Sequence, residues 1–274
     1  MPFSKEMILG ASGNQGSAAF YEYQIEQSCR FDKGSYSSLK LDLSSAGDRT
    51  SWAFSTWLKF GTLNTSDSGT SAYLTVFGSG RANQYDYIAF YQIDHHIYWQ
   101  DFLGASTPPY GVTNAKFLDA TAWYHLVWIW DSDDGTEADR ARIYINGTRI
   151  TSYSSSRVVG SGATSDINNS GRDHVIGDSA VGAGNLFDGY LAETIFIDGG
   201  AEAFTAETFG ETKNGIWIPK DPSGLTFGSN GFHLKYQNAS ALGDDSSGNN
   251  NDFTAAGLGA DHQAAESPTN GTGS

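Results

Sequence analysis

The sequence predicts an all-β protein: an antiparallel two-sheet jelly-roll sandwich with extended N- and C-terminal segments. Three observations predict it. Side chains alternate with period two in several short runs, and no long stretch repeats every 3.6 residues. An Asn-Gly pair separates two alternating apolar runs, as a two-residue hairpin requires. The composition has 33 glycines and 14% aromatics against 17% charged residues, which favours strands and tight turns over helices.

Residues 1–24 are Gly-, Ala- and Ser-rich and aperiodic, and read as an extended arm. Its apolar residues Phe3, Met7, Ile8, Leu9, Phe20 and Tyr21 are candidate docking groups, expected to order by burial on a partner. The sandwich is expected over residues 25–220. In the run 51–60, Phe54, Thr56, Leu58 and Phe60 fall on one face and Ala53, Ser55, Trp57 and Lys59 on the other. Residues 72–77, 85–91 and 97–102 read as three more strands. The aromatic run 123–130 suits a central strand covered on both faces. Asn146-Gly147 is placed at a hairpin tip, because both positions of such a turn need φ > 0. The pattern continues through 174–177 and 186–197, and Thr205 is read as the cap of a short helix. Trp123, Leu126, Trp128, Ile143 and Ile195 are expected to be largely buried. The segment 221–274 holds one strand near Phe232, an oxygen-rich loop at 243–252 and a small, polar, flexible tail. It either adds edge strands to the same sandwich or is the stub of a second unit. The first is favoured, since an isolated strand pair has no core of its own.

The formal net charge of −15 repels phosphate backbones, so nucleic-acid binding is not expected. One cysteine, Cys29, allows no internal disulfide. The Met-Ile-Leu run before Gly10 is too short for a signal-peptide core, and no stretch approaches a membrane span. The expectation is a protein folded in a cytoplasm, without membrane insertion, that leaves the cell by another route such as lysis.

The middle of the chain resembles the concanavalin A-like, laminin G-like sandwich family. The elements that carry the likeness stand in the family's order: 54–58, 123–127, 143–147, Ile176-Gly177, then 187–193 and the helical turn at 203–209. A narrower likeness covers nearly the whole chain. The opening Met-Pro-Phe-Ser, residues 215–220 and 230–234, the loop 245–253 and Ser267-Pro-Thr-Asn270 resemble structural proteins of marine tailed bacteriophages, especially cyanophage-like ones. That resemblance implies a non-enzymatic virion protein, as a head decoration or tail-fibre component, which displays a lectin-like sandwich for adhesion. Its implied partners are other virion proteins, further copies of itself and a cell-surface glycan. The alternatives are a receptor-binding lectin for a host glycan and a glycan hydrolase with an unfamiliar acid pair.

No catalytic residue is assigned. Glycan hydrolysis needs two carboxylates across the scissile bond, and no Glu-x-Asp-x-x-Glu strand is present. Glu193, placed in phase with Leu191 and Ile195, reads as a buried, hydrogen-bonded carboxylate. Gly177-Asp-Ser179 lacks the Asp-x-x-His partner that an esterase needs. His95 and His96 are adjacent and read as a turn. The candidate metal ligands are Asp131, Asp133 and Asp134 in an acidic turn suited to Ca²⁺, with Asp244, Asp245, Asn249 and Asp252 as a second oxygen-rich loop. The candidate glycan-stacking residues are Tyr98, Trp99 and Tyr110.

Overall fold

The computed structural model describes residues 20–61, 73–81, 84–91, 94–102, 107–179 and 185–269. The first strands in chain order are β1 Ser28–Phe31, β2 Ser38–Asp42, β3 Ser51–Phe60, β4 Tyr73–Arg81, β5 Gln84–Tyr91 and β6 His96–Gln100. Then come β7 Tyr110–Lys116, β8 Tyr124–Asp131, β9 Ala141–Ile145, β10 Thr148–Arg149, β11 Tyr153–Arg157 and β12 Asp173–Ile176. The last are β13 Gly189–Asp198, β14 Gly210–Lys213, β15 Ile216–Pro219, β16 Phe232–Leu234, β17 Thr254–Ala256 and β18 Gln263–Ala264.

These strands build an antiparallel sandwich of two large sheets. Sheet A has the order β10-β9-β8-β3-β13-β1-β18, with β16 also on β13. Sheet B has the order β11-β7-β6-β5-β4-β12-β2-β17. Strands β14 and β15 form a separate hairpin. Period-two alternation sends Phe54, Leu58, Trp128 and Ile143 of sheet A, and Phe77, Ile88, Phe90 and Trp99 of sheet B, into one inter-sheet core. Asn146 and Gly147 form the tip between β9 and β10, with φ of 48° and 77°. Leu126, Trp128, Ile143 and Ile195 are buried, whereas Trp123 is only half-buried at the outer surface of sheet A.

Strands β3 and β8 are buried on both faces because the chain after β13 folds back over sheet A. Ala53, Val127, Ile129 and Ile197 pack beneath Ala201, Ala206 and Phe209, with Trp217 and Phe227 beside them. The strand β13 differs from simple alternation. Its pairing with β3 shifts between Ala192 and Ile195, and Glu193 takes φ 50°. This bulge inserts one residue, so Leu191 joins the inter-sheet core while Ile195 lies on the opposite face. Glu193 is therefore not in phase with both, contrary to the alternation read from sequence.

Residues beyond 221 enter both sheets. β16 pairs with β13, β17 with β2 and β18 with β1. Phe232, Leu234, Tyr236, Leu242 and Phe253 belong to the inter-sheet core. The stretch 257–269, read as a flexible tail, is laid down on the fold. The buried Ser267 hydroxyl bonds the carbonyl of Ile25, and Thr269 Oγ1 accepts from the Ile25 amide at 2.9 Å. Residues 270–274 lie outside the described residues. β18 and β17 thus form the edges of the two sheets on one side of the sandwich, and β10 and β11 the edges on the other.

Candidate functional site

One face of sheet B carries a run of tyrosines. Tyr73 of β4 pairs with Tyr91 of β5. Tyr98 of β6 lies between Ala89 of β5 and Val112 of β7, and Tyr110 of β7 lies opposite Gln100. Because these positions share a phase, their rings meet across four strands. The Tyr98 centroid is 5.3 Å from Tyr73, 5.7 Å from Tyr87, 5.7 Å from Tyr91 and 6.3 Å from Tyr110. Tyr87 is buried beneath the group, where Gly78 opposite it leaves room. Tyr73, Tyr91, Tyr98 and Tyr110 stay half-exposed. Polar groups edge the rings. The Tyr98 hydroxyl donates to Gln100 Oε1 at 2.5 Å, Tyr110 shares a hydrogen bond with Ser155 at 2.7 Å, and Arg157 lies 5.5 Å over the Tyr110 ring. Burial among its neighbours pushes the Tyr98 hydroxyl up to about 12, so it stays a neutral donor and acceptor.

Of the three aromatics selected from the sequence, Tyr98 and Tyr110 stand together on this face. Trp99 does not. As the next residue along β6 it points the other way and packs in the core against Trp128, with ring centroids 6.0 Å apart. It cannot stack on a ligand lying on the tyrosine face. Tyr73, Tyr87 and Tyr91 escaped the sequence reading because only sheet pairing brings residues from β4, β5 and β6 together.

Asp131, Asp133 and Asp134 do share one cleft, with Asp48 and Glu202. Burial raises Asp131 above the usual carboxylate range. Arg142 already supplies positive charge there, at 3.9 Å from Asp131 and 3.5 Å from Asp134. In the second oxygen-rich loop Asp244 accepts from the Asn238 side chain at 2.7 Å, and Asp245 and Asp252 serve the backbone. Asp245 accepts from the amides of His233, Ser247 and Asn251, and Asp252 accepts from the Asp245 amide.

A tighter group of acids escaped the sequence reading. Asp86, Asp101 and Asp166 are all buried and lie within 4.8 Å of one another. They come from β5, the end of β6 and the connection before β12, so no local spacing announces them. Arg172 reaches Asp166 at 2.6 Å and Asp86 at 3.9 Å, and Arg49 reaches Asp166 at 3.1 Å. Burial and the neighbouring Asp101 push the Asp86 carboxyl well above its usual range, which favours its neutral form.

The other groups with catalytic potential are tied into structure. Glu193 binds the Tyr23 hydroxyl at 2.7 Å and the ring of His233, and is 5% exposed. Ser179 is buried and bonds Asp178, its own neighbour. His95 is buried against Phe60, and His96 contacts Asp94 at the surface of the same turn. Ser55 and His125 are 2.8 Å apart and buried, a spacing that a nucleophile and base would show. The polarity is reversed here. The Trp217 indole N–H can only donate, and it donates to His125 Nδ1 at 2.9 Å. The remaining ring proton is on Nε2 and points at Ser55, so His125 cannot take a proton from that hydroxyl.

Of the docking candidates, Phe3, Met7, Ile8 and Leu9 lie outside the described residues. Phe20 and Tyr21 are half-buried and meet edge to face at 5.0 Å. Among the described residues no helix is long and apolar enough to cross a membrane.

Comparison with known sequence families matches residues 32–207 to the concanavalin A-like lectin/glucanases superfamily. A comparison with curated proteins finds no match. Solved structures with a similar fold include the native heptameric SAP-like pentraxin of Limulus polyphemus, at 16% identity and a TM-score of 0.45, covering 65% of this chain and 78% of that one. Domains LG4–5 of the mouse laminin α1 chain match at 14% identity and a TM-score of 0.42, over 78% of this chain and 48% of that one. The enzymatically active domain of tailspike protein 2 of bacteriophage CBA120 matches at 12% identity and a TM-score of 0.40, over 60% of this chain and 24% of that one.

Proposed function

Since this chain belongs to the concanavalin A-like lectin/glucanase superfamily, we propose that it is a non-enzymatic carbohydrate-binding module carried on a virion, and that the tyrosine face of sheet B is its binding surface. The observation that carries the reading is the half-exposed set Tyr73, Tyr91, Tyr98 and Tyr110 on one side of adjacent strands. A pyranose ring offers an apolar C–H face and a rim of hydroxyls. Tyrosine matches both, with a rigid apolar ring and a polar tip. Spacings of 5.3 and 6.3 Å from Tyr98 to Tyr73 and Tyr110 suit successive sugars of one chain.

The virion assignment rests on the full-length resemblance to tailed-phage structural proteins, with other virion proteins and further copies of this chain as partners. Mass spectrometry of purified particles should find the protein at a fixed, symmetric copy number; its absence from particles would remove this part of the proposal. Binding is tested by glycan array and calorimetry. Tyr98→Ala should weaken binding about tenfold or more, equal to about 1.4 kcal/mol, while circular dichroism shows the sandwich still folded. No reducing ends should appear on incubation with the bound polysaccharide. If they do, and Asp131→Asn abolishes them, the module is a hydrolase working from the acidic cleft.

A further inference from the structure

At the edge formed by β10 and β11 the sandwich holds a cavity of about 210 Å³. Its floor is made by the rings of Trp99 and Tyr153. They meet over Gly111, where a Cβ would stand 2.4 Å from Trp99 Nε1 and 3.0 Å from Tyr153 Cε1. Ile150 and Val159 supply apolar wall, and Val158 stands 52% exposed at the mouth. Two guanidiniums stand at the rim, Arg149 from sheet A and Arg157 from sheet B. Arg149 is held by Asp139 at 2.5 Å and the Ala138 carbonyl at 2.7 Å. Arg157 donates to the Pro108 carbonyl at 2.9 Å and covers Tyr110. Each guanidinium carries five N–H donors, so these contacts leave donors for a ligand. The acid in the lining, Glu137, is exposed.

Arg157 belongs to both places: it ends the tyrosine face and begins the rim of the cavity. A chain lying over Tyr98 and Tyr110 therefore reaches the cavity past this guanidinium. Of the two arginines flanking the apolar cavity, Arg149 is paired with Asp139, whereas Arg157 has no ion pair among the described residues. Guanidinium is the side chain best shaped to hold a carboxylate. We propose that the cavity is an end subsite of the tyrosine face, which it presupposes, and that it takes a chain-terminal sugar bearing a carboxylate. The apolar face of that sugar lies against Ile150 and Val158, and its carboxylate lies between Arg149 and Arg157.

The test uses the full chain and two trisaccharides that differ only at the non-reducing end, glucuronic acid in one and glucose in the other. Calorimetry should show the acidic one binding about tenfold tighter, with an advantage that shrinks as salt is raised. Arg149→Gln, on sheet A and outside the set Tyr73, Tyr91, Tyr98 and Tyr110, should remove the advantage by weakening the acidic sugar more than the neutral one. Ala141→Leu, which fills the cavity, should weaken both sugars and abolish the difference between them. Equal affinity for the two sugars, or an advantage that survives both substitutions, overturns the end subsite. If Tyr98→Ala weakens the neutral sugar in that case, the tyrosine face still stands. An acidic preference that depends on Arg149 but ignores Tyr98→Ala would instead keep the cavity and remove the face. Binding of neither sugar overturns both.

Discussion

Two of the buried histidines contribute to how this protein answers to acid. Burial holds His125 down to about 3 and His174 to about 4. Both are committed to the neutral form. His125 Nδ1 accepts from Trp217, and His174 Nε2 accepts from the Asn168 amide at 2.8 Å. A histidine whose folded pKa lies below its unfolded value of about 6.5 stabilises fully above that value and loses its contribution as pH falls toward the folded pKa. Each can therefore remove up to about 1.4 kcal/mol per pH unit below about pH 6. Asp86 works in the opposite sense. Its pKa is raised by burial and by Asp101, so the native state keeps a proton that the unfolded state loses above about pH 4, and its contribution falls as pH rises. Urea unfolding at pH 7 and pH 5 should show lower stability at pH 5, and Asp86→Asn should steepen that difference. A stability of the Asp86→Asn variant that is independent of pH over this range would contradict the neutral assignments of the histidines. None of this was legible beforehand: the sequence shows a histidine, but its pKa depends on what encloses it.

At the scale of the element, the β9–β10 hairpin shows local code and tertiary contact acting on one residue. The Asn-Gly tip was readable because a two-residue turn needs positive φ twice, and Gly147 has φ 77°. Gly147 has a second duty that only packing reveals. A Cβ there would come within 2.5 Å of the Trp217 ring, the same ring that hydrogen-bonds His125. Gly147→Ala should therefore cost more than the roughly 1 kcal/mol of the backbone penalty. Thermal unfolding by circular dichroism should show a drop of at least about 2–4 °C for a chain of this size. An unchanged melting temperature would mean that Trp217 does not pack on the turn. The strand β13 makes the converse point. Its apolar alternation identified a strand, but alternation cannot count the extra residue of a bulge, and so Glu193 and Ile195 were placed on the wrong phase.

For the whole molecule, the two ends of the described chain meet. β1 pairs with β18, and Ile25 is held by Ser267 and Thr269. Lys59 of β3 also contacts Glu266. Deleting residues 254–274 should therefore destabilise the sandwich, because it removes β17 and β18 from both sheets and uncovers Ile25. Protease resistance equal to that of the full chain would contradict this. Deleting residues 2–20 should behave differently. It spares Tyr23 and Ile25, so the truncated protein should remain folded and soluble while losing incorporation into particles. Incorporation at full copy number would show that docking lies on the sandwich itself.

Period-two alternation, the Asn-Gly tip and the order of aromatic strands were enough to determine the sandwich and most of its core, because each rests on neighbours a few residues apart. Tyr98, Trp99 and Tyr110 could all be named as candidate stacking aromatics, but nothing local to them states which are exposed. The gathering of Tyr98 and Tyr110 with Tyr73 and Tyr91, and the burial of Trp99 one residue away, required the pairing of β4 through β7. The acid group Asp86, Asp101 and Asp166, the cavity rimmed by Arg149 and Arg157, and the anchoring of the last strands likewise join residues far apart in the chain. The physical reason is the same in each case. A strand's own sequence states which side chains share a face, whereas which strands lie side by side is decided by how the faces pack into one core.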